Sequence, residues 1–159
     1  MGSLQDIKGN FRDHGILDFT PGEVVRTGAD LKDVRVLLFC ALQEFRTKLN
    51  RRVHLIFNGL TTGNHSAEEH PNGLAVDFHL NAGDGPVDST TIRMVLLYAI
   101  LTGFRGIGIY WNGQAYSFHL DLREDPRFAA WKGTKPAPGV GSWKMETIFG
   151  ISRNILFHK

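Results

Sequence analysis

The sequence predicts an α+β fold in which a small antiparallel sheet has helices packed on one side. Apolar residues recur at helical spacing over about 31–49 and again after Asp88. The β-rich segments 107–111 and 115–122 are joined through Asn-Gly at 112–113, the dipeptide most typical of a tight hairpin. Helices mixed with an antiparallel hairpin are typical of the α+β class.

Capping residues predict where the helices begin and end. A capping box from Thr20 to Glu23 begins a short helix, which Gly28 ends. Asp88 caps the helix that follows it, and Gly103 ends that helix. These positions place the helices on either side of the first predicted strands.

The remaining segments are predicted to be strands and loops. Residues 53–57 and 74–80 are β-rich, and the loop at 59–73 between them is dominated by Gly, Asn, Thr and Ser. Residues 123–145 hold three of the six prolines and are predicted to be irregular. The apolar tail at 148–157 is predicted to form a last strand.

Three aromatic residues have different expected roles. We expect Tyr110 in the core, because it lies within a predicted strand. Trp131 and Trp143 lie in a segment rich in Gly and Pro, and the composition of 131–143 predicts a flap over a cleft.

Length and composition bound the class of protein. The 159 residues suffice for one ordinary domain, which we place at 19–159 behind an N-terminal extension at 1–18. A hydrophobic fraction of 42% against 21% charged residues is a globular balance and excludes a disordered chain. A formal net charge of +2 without a long basic run argues against a nucleic-acid partner.

Other function classes are excluded by what the sequence lacks. Cys40 is the only cysteine, so neither an intrachain disulfide nor a cysteine-rich metal site is possible. No apolar run is long enough for a membrane span, and no secretory signal is visible. We therefore expect cytoplasmic synthesis, with any later release needing outside help, while the oligomeric state stays open.

Two histidines and one carboxylate stand out by their positions. His70 ends a polar loop, whereas Asp77 and His119 each lie in the middle of a predicted strand. A carboxylate among Leu, Ala, Val and Phe is costly to bury unless it is paired, hydrogen-bonded or bound to a metal. Two imidazoles and one carboxylate are a standard ligand set for a catalytic zinc that keeps one position for water.

Strand alternation groups further polar residues around these three. Side chains two residues apart share a face, so His79 lies beside Asp77, and Ser117 and Asp121 lie beside His119. If the two strands are neighbours, these faces line one polar cleft. A solvated sheet face is the plain alternative interpretation of the same alternation.

Two strings resemble the motifs of a known family. HPNGLAVD at 70–77 matches His-x-x-Gly-x-Ala-x-Asp in spacing and residue type, and GIGIY at 106–110 is followed by FHLD at 118–121. Over roughly residues 19–123 the chain resembles the zinc peptidases that include D-alanyl-D-alanine carboxypeptidases, D-Ala-D-Ala dipeptidases and phage L-alanyl-D-glutamate endolysins, with the Hedgehog signalling domain as a relative.

The resemblance implies a site and a reaction. It implies one zinc ion per chain, held in a cleft by His70, Asp77 and His119. The implied reaction is hydrolysis of a peptide bond of bacterial cell-wall peptide by a metal-activated water, of the D,D-carboxypeptidase or endolysin type. Peptidoglycan peptide or another peptide is then the partner, and the protein is released to the cell wall or associated with a phage.

Outer-shell groups are expected beside the ligands. His79 or Asp121 is expected to hydrogen-bond the second nitrogen of a ligating histidine, as such groups do at metal sites. Ser117 is a further candidate, and it stands where some relatives have a histidine.

The chain departs from the family pattern at the groups that move protons and anchor substrate. Tyr116 stands where many members have an acidic general base, and Thr61 stands where an arginine is expected to hold a substrate carboxylate. The candidates for proton transfer are therefore Glu68, Glu69, Tyr116 and Asp121. For the two glutamates, a solvated surface position is the alternative.

Two other functions stay open on the sequence. The residues at Tyr116 and Thr61 fit a catalytically impaired zinc-binding homologue that acts as a peptidoglycan-binding, protein-binding or structural module. His119 and Asp121, followed by His158, resemble the two-His-one-carboxylate triad of iron(II) oxygenases, whose chemistry normally occurs in a jelly roll.

Overall fold

Three α-helices and six β-strands make up the part of the chain that the computed structural model describes, which is residues 2–8, 10–61, 69–125, 127–136 and 144–152. In chain order the elements are α1 (Pro21–Arg26), α2 (Val36–Leu49), β1 (Val53–Leu55), β2 (Ala75–Leu80), α3 (Ser89–Leu101), β3 (Gly106–Trp111), β4 (Tyr116–Asp121), β5 (Arg127–Thr134) and β6 (Lys144–Ser152). Short 3₁₀ turns lie at Arg12–His14, Leu31–Asp33 and Ala82–Asp84.

The strands form one sheet in the order β1-β2-β4-β3-β5-β6. Neighbouring strands run antiparallel except β3 and β5, which are parallel. The tight turn between β3 and β4 is built on Asn112 and Gly113. The side-chain oxygen of Asn112 accepts hydrogen bonds from the amides of Gln114 and Ala115, and Gly113 has φ 91°. The predicted α+β class and the predicted hairpin are therefore confirmed.

The helices pack on the face of the sheet that carries the large apolar side chains. Phe45 of α2 contacts Phe78 of β2 and Phe104, with ring centroids 5.7 and 6.3 Å apart. Phe118 of β4 stacks on Phe78 at 5.5 Å. Because side chains alternate along a strand, Asp77 and the residues that neighbour Phe118 on either side turn to the opposite face.

The N-terminal stretch, which the sequence assigns to an extension, packs against this core. Leu4 and Ile16 are fully buried, and Phe11 is nearly so. The amide of Leu4 donates a hydrogen bond of 2.8 Å to the carbonyl of Val34. These residues contribute apolar contacts to the same core as the helices.

The predicted capping signals are confirmed at two helices. Thr20 and Glu23 form the reciprocal hydrogen bonds of a capping box at the start of α1. The Asp88 side chain accepts a hydrogen bond of 2.7 Å from the amide of Thr91 at the start of α3.

The helix predicted at 31–49 begins only at Val36, after one 3₁₀ turn. Val34 and Arg35 are extended, and the amide of Arg35 donates to the carbonyl of Gly73 at 3.2 Å. This bond to a distant part of the chain competes with helix formation, and helical periodicity in the sequence carries no sign of it.

The prediction of an irregular segment at 123–145 is wrong for residues 127–134 and 144–145, which are strand, while residues 137–143 lie outside the described ranges. Strand β5 lies within it, and its prolines at 126 and 136 bracket the strand instead of interrupting it. The sequence of β5 shows no clear alternation of polar and apolar residues. The strand is defined instead by its pairing with β3 on one side and β6 on the other.

Two strand boundaries differ from the prediction, and two predicted segments lie partly outside the described ranges. Strand β1 ends at Leu55 rather than at 57, and β6 begins at Lys144 rather than at 148. Residues 153–157 of the predicted last strand lie outside the described ranges, as do residues 137–143 of the predicted flap. The described ranges contain no helix with the length and apolar character that a bilayer crossing requires.

Replacing Gly73 by alanine is expected to destabilise the fold strongly. Gly73 has φ +69°, and an added Cβ would lie 2.0 Å from the carbonyl oxygen of Asp33. The left-handed backbone costs an L residue about 1–2 kcal/mol, and the overlap adds about 1–3 kcal/mol. Urea unfolding measures the free energy of unfolding.

Gly15→Ala is the matched control for this prediction. Gly15 has a similar φ of +75°, but nothing lies within 4 Å of an added Cβ. Only the backbone cost of about 1–2 kcal/mol is therefore expected. Equal losses of stability in the two variants would contradict the steric role assigned to Gly73.

Candidate metal centre

The register of two neighbouring strands brings Asp77 and His119 together. Asp77 of β2 lies directly opposite His119 of β4. Residues opposite each other on antiparallel strands share a face, with Cβ atoms about 4.5–5.5 Å apart. The His119 Nδ1 atom accordingly lies 2.8 Å from Asp77 Oδ1, on the face turned away from the aromatic core.

His70 reaches the same point from the turn that precedes β2. The amide of Gly73 donates to the carbonyl of His70 at 3.0 Å and closes this turn. The ring of His70 is fully buried, and its Nδ1 lies 3.2 Å from the carbonyl oxygen of Leu60. Because a carbonyl only accepts, Nδ1 carries the proton and Nε2 is left as the nitrogen that can bind a metal.

The three candidate ligand atoms fit a single metal ion. His70 Nε2 lies 3.2 Å from His119 Nδ1 and 3.6 Å from Asp77 Oδ1, and the remaining distance is 2.8 Å. The circle through these atoms has a radius of about 1.9 Å, just under the ~2.0–2.1 Å of a zinc–nitrogen bond. The predicted ligands His70, Asp77 and His119 therefore form a buried group that could hold one metal ion.

Asp121 orients His119 from the other side of the imidazole. The Nε2 atom of His119 lies 3.0 Å from Oδ2 of Asp121, whose side chain is fully buried. Arg123 holds the same carboxylate with two hydrogen bonds, at 2.8 and 2.6 Å. The proton of His119 is thereby kept on Nε2, which leaves Nδ1 to face Asp77 and His70.

The surroundings of His119 favour positive charge. Burial by itself lowers the pKa of this imidazole, but hydrogen bonds to Asp121 and Asp77 outweigh burial and raise the pKa to about 9. Burial likewise raises the pKa of Asp121, but hydrogen bonds from Arg123 and His119 hold it well below its usual range. The Asp121 carboxylate is therefore charged at neutral pH. The positive charge that the two carboxylates favour can be a proton on His119 or a metal ion that replaces this proton.

Two glycines of β3 make room for the centre. A Cβ on Gly108 would lie 3.0 Å from His119 Cβ and 2.8 Å from Trp131 Nε1. A Cβ on Gly106 would lie 2.0 Å from Asp121 Oδ2. Side chains at these positions would therefore displace the imidazole or the carboxylate that orients it, which explains the Gly-x-Gly spacing physically.

Trp131 of β5 covers the centre from one side. Its ring lies 5.5 Å from the His119 ring, and the Arg123 guanidinium lies 5.5 Å from its centroid. Its Nε1–H donates a hydrogen bond of 2.7 Å to the hydroxyl oxygen of Tyr110. The prediction of a core position for Tyr110 is wrong, because Tyr110 shares the site face of β3 with Gly108.

An open groove of about 690 Å³ lies near the start of α2, and its described lining contains none of the three candidate ligands. Glu69, the neighbour of His70 in the chain, lines it together with Arg123, which is bonded to Asp121. Arg35 also lines the groove, and its Nε donates to the carbonyl of Asn72 at 3.4 Å. The groove therefore carries charge of both signs, and its link to the centre is through Glu69 and Arg123.

The other residues singled out from the sequence lie farther round the sheet. Tyr116 packs against Trp111 and Phe118 on the core face, with ring centroids 4.7 and 6.4 Å apart. His79 is exposed, and its Nδ1 lies 2.8 Å from the carbonyl oxygen of Tyr116. Ser117 lies opposite Tyr110 in the sheet register. Of the two outer-shell candidates for a ligand's second nitrogen, Asp121 makes that hydrogen bond.

The sequence does not assign Tyr110, Arg123 or Trp131 to the centre: it predicts Tyr110 in the core and Trp131 in a flap over a cleft. Arg123 had a usable signal, because the polar alternation of Ser117, His119 and Asp121 continues to it. Tyr110 has a signal through the hairpin, because it pairs with Ser117, whereas the place of Trp131 depends on the parallel pairing of β5 with β3.

Two candidates fall outside what the structure describes. Glu68, a candidate for proton transfer, lies in the undescribed stretch 62–68, and His158 lies beyond residue 152. Within the described ranges, Asp121 is not a member of the group that could hold a metal ion. It hydrogen-bonds the outer nitrogen of His119 instead.

Comparison of the chain with protein-family models, with curated proteins and with solved structures finds no match. The metal centre therefore rests on the geometry of the chain's own residues.

His119→Ala is expected to abolish stoichiometric zinc binding, because it removes one of three ligand atoms. At a thousandfold excess of zinc over Kd, binding stabilises the native protein by about 4 kcal/mol. For a chain of this length that corresponds to a rise in Tm of ~10 °C, which a chelator reverses. Elemental analysis and melting with and without chelator measure both effects.

His54→Ala is the control, because His54 is an exposed histidine on β1. It should keep one equivalent of zinc and the full chelator-sensitive rise in Tm. A His119→Ala protein that still holds one equivalent of zinc would contradict the ligand assignment.

Asp121→Asn is expected to weaken zinc binding by about 10–100-fold without removing it. The substitution removes the charged acceptor that fixes the His119 ring, but it leaves all three ligand atoms in place. Competition with a chromophoric chelator measures Kd. Asp125→Asn, at an exposed carboxylate paired with Arg127, should leave Kd unchanged. Equal Kd values in the Asp121 variant and the wild type would refute the orienting role.

Proposed function

We propose that this protein is a zinc-dependent peptidase that hydrolyses a peptide bond of bacterial cell-wall peptide, of the D,D-carboxypeptidase or endolysin type. The observation that carries the proposal is the convergence of His70, Asp77 and His119 on one point. The motif resemblance of residues 70–77 and 118–121 supplies the substrate class.

The donor set suits a catalytic rather than a purely structural zinc. Structural sites are usually closed by four protein ligands, whereas catalytic sites keep one position open. A bound zinc would supply Lewis acidity toward a carbonyl oxygen and would lower the pKa of a water molecule to ~7. One carboxylate and two neutral imidazoles leave a net positive charge at the centre, which favours both effects.

The chain's own residues hold the ligands in advance of the reaction. His70 is fixed by its hydrogen bond to the Leu60 carbonyl, and His119 by its hydrogen bond to Asp121. Asp121 is in turn fixed by Arg123. Ligands held in this way do not have to rearrange when charge develops, and such preorganisation is a large part of catalysis.

Glu69 is the residue we assign to proton transfer. It directly precedes His70 in the chain, its charge acts on Arg123, and it lines the open groove. Of the other candidates, Tyr116 packs on the core face, and Asp121 already accepts hydrogen bonds from His119 and Arg123. Among the described candidates, Glu69 therefore combines a position next to a candidate ligand with a place on an open groove.

The alternative function is that of a zinc-binding module without activity, which binds peptidoglycan or a protein partner. The engagement of Asp121 with Arg123 and the core position of Tyr116 favour it, because two of the candidate proton-transfer groups are occupied elsewhere. Both functions require the same metal centre, so only an activity measurement separates them.

Purified, zinc-loaded protein is expected to release peptide products from peptidoglycan or its soluble muropeptides, and mass spectrometry identifies the bond. His70→Ala should lose activity together with zinc. Glu69→Gln should keep zinc and lose about 10²–10⁴-fold in kcat, the range of general acid–base catalysis. His54→Ala should match the wild type in both measurements.

Each outcome of this experiment favours one function. Products that depend on His70 and Glu69 support the peptidase. Zinc-loaded protein that pulls down peptidoglycan without cleaving it supports the binding module. Cleavage at the full rate by a metal-free preparation would refute both.

A further inference from the structure

Tyr110 lies flat on the site face of the sheet, next to the metal centre. Its ring fills the space over two glycines: Cε2 lies 2.8 Å from the position of a Cβ on Gly108, and Cδ1 lies 2.6 Å from that on Gly133. Gly108 is the register partner of His119 on one side and of Trp131 on the other. The tyrosine ring therefore occupies the row of the sheet that leads to a candidate ligand.

The hydrogen bond from Trp131 defines what the Tyr110 hydroxyl can do. Its oxygen accepts the indole N–H at 2.7 Å. A hydroxyl that accepts one hydrogen bond is polarised and donates its own proton more strongly. Trp131 is itself fixed between His119 and Arg123, so the tyrosine oxygen is held in place from the side of the metal centre.

The hydroxyl keeps its proton at neutral pH. Burial raises the pKa of Tyr110, the hydrogen bond from Trp131 lowers it in part, and the charges of Asp77 and Asp121 raise it again. The influence of both carboxylates means that the hydroxyl lies in their neighbourhood. It therefore acts there as a neutral hydrogen-bond donor.

We propose that the Tyr110 hydroxyl donates a hydrogen bond to an oxygen atom that carries negative charge at the His70–Asp77–His119 centre. In the proposed peptidase this atom is the carbonyl oxygen of the attacked peptide bond, and for that identity the inference rests on the proposed function. As water adds to the carbonyl carbon, its proton passes to Glu69 and the electron pair of the C=O double bond moves onto this oxygen. When the C=O bond re-forms, the C–N bond breaks and the proton passes to the leaving amine. A donor already held in place stabilises that charge without reorganisation.

The other tyrosines do not have this geometry. Tyr116 packs against Phe118 on the opposite face of the sheet. Tyr98 lies on α3 and packs against the apolar core. Tyr98→Phe therefore serves as the matched control for loss of a tyrosine hydroxyl.

The first test measures binding of a tetrahedral oxyanion without any turnover. Inorganic phosphate is titrated into Co²⁺-loaded protein, and the visible absorption of the cobalt centre reports binding. Tyr110→Phe should weaken phosphate binding about tenfold or more, as loss of a hydrogen bond to a charged group does, with unchanged cobalt affinity. Tyr98→Phe should bind phosphate like the wild type. Equal affinities in wild type and Tyr110→Phe, or no phosphate binding by either, overturn the proposal.

The second test measures peptide cleavage. Tyr110→Phe should lower kcat about 10²–10³-fold with little change in KM, as removal of one oxyanion donor does. Full activity of this variant would overturn the proposal. If wild-type protein binds phosphate through Tyr110 but cleaves no peptide, the peptidase function fails while the donor role stands.

Trp131→Phe tests whether the effect of Tyr110→Phe comes from loss of the hydroxyl or from a disturbed aromatic cover of the site. It removes the indole donor and leaves the Tyr110 hydroxyl present. It should weaken phosphate binding less than Tyr110→Phe does, because the hydroxyl loses polarisation but not its proton. A larger loss in Trp131→Phe than in Tyr110→Phe would assign the effect to the aromatic cover of the site and overturn the donor role.

Discussion

The candidate metal centre depends on the register between β2 and β4. Asp77 and His119 are direct partners across these strands, and their side chains meet at 2.8 Å on one face of the sheet. A slip of either strand by one residue would turn its ligand into the apolar core and bring a phenylalanine or leucine to the site face. The apolar partners Phe78 and Phe118 hold this register from the other face, since their stacked rings fix the same pairing. Packing of the core and geometry of the site are therefore two consequences of one alignment.

Around this pair the structure fixes each imidazole through its outer nitrogen. His70 bonds to the Leu60 carbonyl and His119 to Asp121, so each ring presents a defined nitrogen toward Asp77. Buried charges are costly unless their hydrogen-bonding capacity is satisfied. Arg123 donates two hydrogen bonds to Asp121 and balances its negative charge, and Arg123 also lines the open groove. The three candidate ligand atoms are therefore already held in positions that could bind one cation.

Local signals in the sequence sufficed for the fold class, the hairpin at 112–113 and two helix caps, because each rests on patterns within one or two elements. The ligand set was implied by a resemblance of two strings, and its strand residues Asp77 and His119 are 42 positions apart; the structure places it as a group that could hold a metal ion. The late start of α2 and the strand β5 could not be found from local signals. The first follows from a hydrogen bond between Arg35 and Gly73, and the second from parallel pairing with β3, and both join parts of the chain that are distant in sequence. The same limit hid the place of Trp131 beside the centre, which is set by that parallel pairing.

Strand alternation determines where the side chain at 116 points, the position at which many members of the resembled family have an acidic residue. Residues three apart on a regular strand face opposite ways, and β4 is regular from Tyr116 to Asp121. An acidic side chain at 116 in this geometry would point into the aromatic core beside Phe118 rather than toward His119. The tyrosine there is consequently a core residue and is no candidate for proton transfer at the centre. Proton transfer has to come from another element, and the turn that carries Glu69 and His70 is the one that opens onto the groove.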